Sequence, residues 1–397
     1  MKIFVAGDFF YTPENLTFGD GLVSVIGQAD AVLLNLEGPV LDKSTSSHPI
    51  KKSGPNLSMS TSILQKLNQF GKGLVCACAN NHIGDYGEIG VKETLSWLDN
   101  HKISNFGAGP ESKSAREPFH LGDSEIVMLN VAENEYGMAS EVKAGPNPLK
   151  LNLIFSQIRE LSQLGKTVIV YFHGGNEHCP IPNPWNIMLS RMYIDFGASL
   201  VIGNHTHCPQ GFEEYREGLI FYGLGNFIYD EGPLKKSLRG KLKSLVNNIG
   251  GVEAVNSGFF NLGMALFLEI EHKKISYKII PTRYLNGKVD ILTRNEQISF
   301  TEYIKDISLA VTDKNLYEGY WGSWVIGKGK GLKRVIENFQ YSSKDIGNNF
   351  FPLANYVRCE SHLELLKSFN NILAEGKEKD FNREAIKCFT DPKKYQL

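Results

Sequence analysis

No stretch of the 397-residue chain approaches the roughly 20 uncharged apolar positions that a bilayer-spanning helix requires. The start carries no apolar leader: Lys2 is followed only by Ile3-Phe4-Val5-Ala6 before Gly7-Asp8, too short for an h-region and without a small-residue cleavage site. These two absences give the expectation of a soluble, cytoplasmic protein without a transmembrane segment. Excess charge is also missing. Lys and Arg number 42 against 43 Asp and Glu, a formal net charge of -1, so the chain lacks the basic footprint of a nucleic-acid or anionic-membrane binder. Six cysteines in such a length do not make a disulfide framework. No G-x-x-x-x-G-K-[ST] segment is present to cradle ATP phosphates, and there is no internal repeat or low-complexity tract.

What the chain has is the composition of a globular protein with a sizeable core, 42% hydrophobic and 21% charged. Its length allows one large domain or a catalytic domain with a smaller appendage. Nearly continuous apolar runs at Lys2–Ala6, Ala31–Leu34, Leu74–Ala79, Ile126–Val131, Thr167–Phe172, Leu200–Ile202 and Leu219–Tyr222 read as strands buried on both faces. Between them, Ser60–Phe70, Val91–His101, Leu149–Leu164 and Pro184–Phe196 carry apolar residues at helical spacing. The alternation predicts an α/β sheet protected by helices. Beyond Pro233 the texture changes. Lys235–Leu245 reads as a basic surface segment, Gly263–Glu271 and Lys274–Pro281 as a β-hairpin, and the chain from about Ser299 as mainly helical, with Glu360–Ala374 the clearest helix.

The polar residues fall at the strand ends. Gly7-Asp8, Asn35-Leu36-Glu37-Gly38, Ala79-Asn80-Asn81-His82, His173-Gly174-Gly175-Asn176-Glu177, Gly203-Asn204-His205-Thr206-His207 and Gly225-Asn226-Phe227 each follow an apolar run. In an α/β sheet these ends form the crevice where ligands bind. Asp, Glu, Asn and His are the residue types that hold a hard or borderline divalent cation. Each has an ordinary reading in isolation: Asp8 as a helix cap, Glu37 as a partner for lysine, Asn81 as a turn residue, His173 as an interior histidine. The His205-x-His207 pair is more specific, since a glycine-preceded loop can aim both imidazoles at one centre. Together they point to a metal site. Asp85 and Glu88 are assigned instead to the start of the Val91–His101 helix, where acids suit the macrodipole. Cys76 and Cys78 read as core residues, and Cys179 and Cys208 as bystanders of an oxygen and nitrogen ligand set.

These motifs, with Asn35-Leu36-Glu37-Gly38-Pro39, Asn81-His82-Ile83-Gly84-Asp85, His173-x-Gly175-x-Glu177 and the block from Gly203 through Gln210, Glu213 and Tyr215 to Phe227, occur in the order that marks one family. The chain resembles the CapA family of poly-γ-glutamate capsule biosynthesis proteins, relatives of the calcineurin-like metallophosphoesterases. The resemblance covers about residues 1–285. It implies a metallophosphatase-like four-layer α/β/β/α sandwich, with residues 286–397 as a mainly helical extension. It also implies one or two divalent metal ions (Mn, Fe or Zn) held by Asp8, Glu37, Asn81, His173, His205 and His207. His82 matches the general acid or transferred-group contact. Glu177 is a second catalytic candidate or a replacement carboxylate, and Asn35, Asn80 and Asn226 are expected at the substrate. The implied activity is metal-dependent hydrolysis, of phosphoesterase type, of a small-molecule or polymer-precursor substrate in capsule or surface-polymer biosynthesis. The alternative is a noncatalytic accessory role in polymer assembly or export. The chain departs from the superfamily pattern at Phe10, where a ligand histidine is usual, at Glu37, where a bridging Asp is usual, and at Thr206, where related chains often have Pro.

Overall fold

The computed structural model describes all residues except 43–45, 71–72, 231–257, 272, 338–352 and 383–384. The basic Lys235–Leu245 segment therefore lies outside the described residues. In chain order the strands of the two main sheets are β1 (Lys2–Tyr11), β2 (Thr17–Phe18), β3 (Ala31–Leu36), β4 (Leu74–Ala77), β5 (Ser104–Phe106), β6 (Phe119–His120), β7 (Ile126–Ala132), β8 (Thr167–His173), β9 (Leu200–Asn204), β10 (Phe212–Tyr215), β11 (Gly218–Phe221), β12 (Asn226–Asp230), β13 (Leu262–Glu271), β14 (Lys274–Leu285) and β15 (Lys288–Ile291). The helices used below are α1 (Asp20–Ile26), α2 (Thr61–Gln65), α3 (Gly87–Asn100), α4 (Leu151–Gln163), α5 (Pro184–Asp195), α6 (Arg294–Thr312), α7 (Lys314–Glu337) and α8 (Glu360–Ala374). Each apolar run of the sequence forms a strand, and β13 with β14 forms the expected antiparallel hairpin. The Ser60–Phe70 pattern is α2 followed by a 3-10 turn rather than one helix.

Among the described residues one sheet has nine strands in the order β2-β15-β14-β13-β1-β3-β4-β5, with β12 also beside β1; the other has six, β10-β11-β9-β8-β7-β6. Strand alternation sorts the side chains into layers. Ile3, Val5, Leu33 and Val75 of the first sheet meet Met128, Ile169, Leu200, Ile202 and Phe221 of the second in a shared core. Their neighbours Phe4, Ala6, Val32, Leu34, Cys76 and Cys78 point outward against Leu22 and Ile26 of α1 and Val91 and Leu98 of α3. On the far side Val168, Val170, Phe172, Val201 and Ile220 meet Ile154, Phe155 and Ile158 of α4 and Leu189 and Tyr193 of α5. The result is helix, sheet, sheet, helix. Tyr171 ties the sheets together, its hydroxyl donating to the Ala6 carbonyl across the core at 2.8 Å. Because both residues are fully buried, Tyr171→Phe is expected to lower the unfolding free energy by about 1–2 kcal/mol. Urea unfolding reads this directly, and an unmoved midpoint would contradict it.

The helical end of the chain covers the inter-sheet core. A capping box of Thr293 and Glu296 starts α6, whose Phe300, Tyr303 and Ile307 join the same apolar cluster as Ile3 and Val5, as do Trp321 and Trp324 of α7 and Leu365 and Phe369 of α8. The Tyr303 hydroxyl donates to the Pro209 carbonyl at 2.9 Å. No helix among the described residues is long and apolar enough to cross a membrane.

Candidate metal centre

Strands β1, β3, β4 and β12 run parallel in one sheet, and β7, β8, β9 and β11 run parallel in the other. Their carboxyl ends therefore gather at one edge of the sandwich. Asp8 is not at the end of its strand as the sequence suggested. It lies within β1, at an irregularity where the pairing partner changes from β13 to β12 and the register shifts. Gly7 allows this: a Cβ there would sit 1.9 Å from the Gly225 carbonyl oxygen, which also accepts the Asp8 amide at 3.1 Å.

Four side chains converge at the centre. His173 Nε2 lies 3.0 Å from Asn81 Oδ1, 3.1 Å from His205 Nδ1 and 3.7 Å from Glu37 Oε1. Ligand atoms of Glu37, His173 and His205 all fall within 4.8 Å of one another, and all three residues are buried. Glu37 Oε1 finds no hydrogen-bond donor among the described residues, although its other oxygen accepts from Asn35. Burial and then the Asp8 charge push the Glu37 carboxyl well above its ordinary range. Burial, with the neighbouring histidines, holds the His173 imidazole well below its ordinary value. Burial lowers His205 too, against the opposing charges of Glu135 and Glu177. Neutral imidazole is the ligating form, and lone pairs aimed at one point beside an unpartnered carboxylate oxygen are costly unless a cation compensates. The donor set fits a divalent metal.

Asp8 and His207 stand beside this group. Asp8 Oδ2 lies 3.4 Å from His207 Nδ1 and accepts the His205 backbone amide at 3.2 Å. Burial alone would lower His207, but the hydrogen bond and charge of Asp8, with Glu177 and Glu37, carry it up to about 9. His205 and His207 have φ of 88° and 53°, a left-handed backbone that costs about 1–3 kcal/mol each for a residue other than glycine. Such strain persists where the surroundings fix it, and here the Asp8 carboxylate does so. Phe10 lies in the outer apolar cluster, so this side of the centre has fewer donors.

The three expected substrate asparagines are held from behind the centre. Asn35 donates to Asp8 Oδ1 at 2.9 Å and to Glu37. Asn80 donates to the Leu36 carbonyl at 2.7 Å and accepts the His82 and Ile83 amides, which shapes the turn that presents Asn81 and His82. Asn226 Oδ1 meets His207 Nδ1 at 2.9 Å. All three are buried, and Asn35 and Asn226 hydrogen-bond the side chains of Asp8, Glu37 and His207. Glu177, by contrast, is exposed at the mouth. Burial by the surrounding cleft would raise its carboxyl, yet His205, His207, His178 and His362 hold it below the usual carboxylate range.

Three neighbours escaped the sequence reading. Asp85 is a correction: it precedes α3, is fully buried, and accepts the Leu57 amide at 2.7 Å and faces His82 Nδ1 at 2.7 Å. Glu88 does lie in the first turn of α3, as expected. Lys52, from an irregular loop with no motif to flag it, pairs with Asp85 and lies 3.2 Å from His82 Nδ1. Glu135 stands 3.9 Å from His205 Nε2 and accepts from Asn81 Nδ2 at 3.4 Å. Extending the strand-end rule to Ala132-Glu133-Asn134-Glu135 after β7 would have found it. Cys179 and Cys208 are buried and their thiols are pushed up, Cys179 to about 12; Cys208 Sγ donates to the Cys179 carbonyl.

A family model described as "Bacterial capsule synthesis protein PGA_cap" matches residues 14–231. The chain is 29% identical over 212 residues to the "Capsule biosynthesis protein CapA" of Bacillus anthracis, covering 51% of each chain. It is 31% identical to the "PGA biosynthesis protein CapA" of Bacillus subtilis over 39% of this chain and 42% of that one. A Mycobacterium tuberculosis protein named "Probable polyglutamine synthesis accessory protein" is 27% identical over 68% of this chain and 69% of its own. The chain thus spans about half the length of the Bacillus relatives it matches. With more than half of its length matched by the family model, the chain belongs to the bacterial capsule synthesis protein family.

Proposed function

We propose that this chain is a metal-dependent hydrolase of phosphoesterase type acting in capsule or surface-polymer biosynthesis, on a small-molecule or polymer-precursor substrate. The observation that carries this reading is the convergence of Glu37, Asn81, His173 and His205 beside His82. A divalent cation held there (Mn, Fe or Zn) would supply Lewis acidity and a bound water of lowered pKa. His173 and His205 offer lone pairs without losing a proton. His207, held up near 9 beside Asp8, would have to give up a proton to ligate, so a second cation on the Asp8 side would bind in competition with protons. Glu37 is 3.7 Å from His173 and shares the Asn35 amide with Asp8, so it would serve a cation on either side.

His82 is the candidate acid. Asp85 faces Nδ1 at 2.7 Å and would hold an Nδ1–H there, so that the doubly protonated ring offers its Nε2 proton to a leaving oxygen. Lys52 balances the Asp85 charge. Asp85→Asn is expected to cut kcat about 10- to 100-fold by misorienting the ring, with metal content unchanged; elemental analysis beside steady-state kinetics checks both halves. Glu177, exposed near His205 and His207, would meet substrate.

A noncatalytic accessory role is the second reading, favoured by the accessory name of the mycobacterial relative. The test is a panel of phosphomonoesters, phosphodiesters and γ-glutamyl peptides offered to the metal-loaded chain. Turnover of any class supports the hydrolase, and metal binding without turnover of any favours the accessory role.

A further inference from the structure

Helix α8 lies beyond residue 231, where the family match ends, yet it is tied to the loops that carry the centre. Cys359 Sγ and Ser361 Oγ both donate to the fully enclosed Glu133 carboxyl, at 3.2 and 2.6 Å. The Asn134 amide donates to Glu360 Oε2 at 3.0 Å, and Asn176 Nδ2 donates to the Ser361 carbonyl at 3.2 Å. Glu133 in turn accepts the Gly175 amide at 3.2 Å. Glu133 and Asn134 stand in the loop that carries Glu135, and Gly175 and Asn176 in the loop between His173 and Glu177. These contacts set the first turn of α8 against the two loops that carry Glu135 and Glu177.

We propose that α8 is the specificity wall of this site, with His362 as the residue that meets the anionic part of a substrate bound at the Glu37–His173–His205 centre. The proposal rests on the reading of that centre as a metal site. Ser361 is pinned to Asn176, the residue before Glu177, which brings the start of α8 to the loop that carries Glu177. Asn355 Nδ2 lies 3.2 Å from His362 Nδ1, which makes Nδ1 the acceptor and leaves the Nε2–H edge to donate. The Tyr356 ring packs against the imidazole at 5.5 Å. His362 is half-buried and lies within electrostatic reach of Glu177 and His205. A donor there suits a phosphate or carboxylate oxygen. Since α8 is outside the family match, the same centre could take different substrates in chains that cover it differently.

The test uses the full chain loaded with Mn²⁺ and inorganic phosphate as the probe, titrated calorimetrically, with Mn²⁺ affinity measured on the same preparations. His362→Ala is expected to weaken phosphate about tenfold with Mn²⁺ affinity unchanged, and His362→Gln, which keeps a donor, to recover part of the loss. Equal phosphate affinity in wild type and His362→Ala overturns the proposal while leaving the metal reading intact. A wild type that takes up Mn²⁺ but binds no phosphate overturns it as well. A wild type that binds no Mn²⁺ overturns the metal reading and this proposal with it.

Discussion

His205→Ala is expected to lower kcat/KM on the order of 10³-fold, about 4 kcal/mol of transition-state stabilisation. The residue stands 3.1 Å from His173 Nε2, so truncation removes one of the converging donors and leaves the rest unable to hold a cation tightly. Its φ of 88° also shapes the Thr206-His207 loop. Alanine is strained there, whereas asparagine tolerates left-handed backbone. His205→Asn therefore separates the two effects: it relieves the backbone but does not restore imidazole ligation. Both variants should lose turnover and metal affinity alike, while the metal-free melting temperature of His205→Asn stays within about 2 °C of wild type. Full activity in His205→Asn would show that this imidazole only shapes the loop.

Metal removal has the second large effect. A ligand at about 1,000 times its Kd stabilises a fold by about 4 kcal/mol, which for this length corresponds to roughly 5 °C. Chelation should lower the melting temperature by that amount. Glu37 explains why the metal-free chain is the weaker one: its carboxyl is buried beside Asp8. Raised in the folded state, this carboxyl keeps its proton longer than in the unfolded chain. The metal-free fold therefore loses stability as pH rises from the ordinary carboxyl value of 4.5 through the raised value. Glu37→Gln removes that loss, since glutamine keeps an acceptor for Asn35 and carries no charge. The variant should be more stable than wild type in EDTA at pH 8, equal to it near pH 4, and scarcely stabilised by metal. Parallel melting curves for the two proteins across pH would count against this account of Glu37.

Much of the sandwich was legible because its strands are buried on both faces, so Thr167–His173 and Leu200–Asn204 read as apolar runs ended by ligand-type residues. The hairpin of β13 and β14 was also visible, but its place beside β1 was not, since alternation says nothing of which strand is the partner. Asp8 looked like a strand end because Gly7 interrupts the apolar run, although the backbone continues to Tyr11. Asp85 was assigned to α3 on proximity in sequence. Its actual partners, Lys52 and Leu57, lie 33 and 28 positions away. The clasp between Glu133 and Ser361 spans 228 positions and joins residues that carry no motif, so no local pattern could show it.

Elemental analysis of the full chain, purified without chelator, tests the central claim most directly. The account predicts at least one Mn, Fe or Zn per wild-type chain, recovered on adding metal after stripping, and substoichiometric metal in His173→Ala and His205→Ala. A wild-type chain that holds no metal and takes none up, or variants that retain as much as wild type, would contradict it.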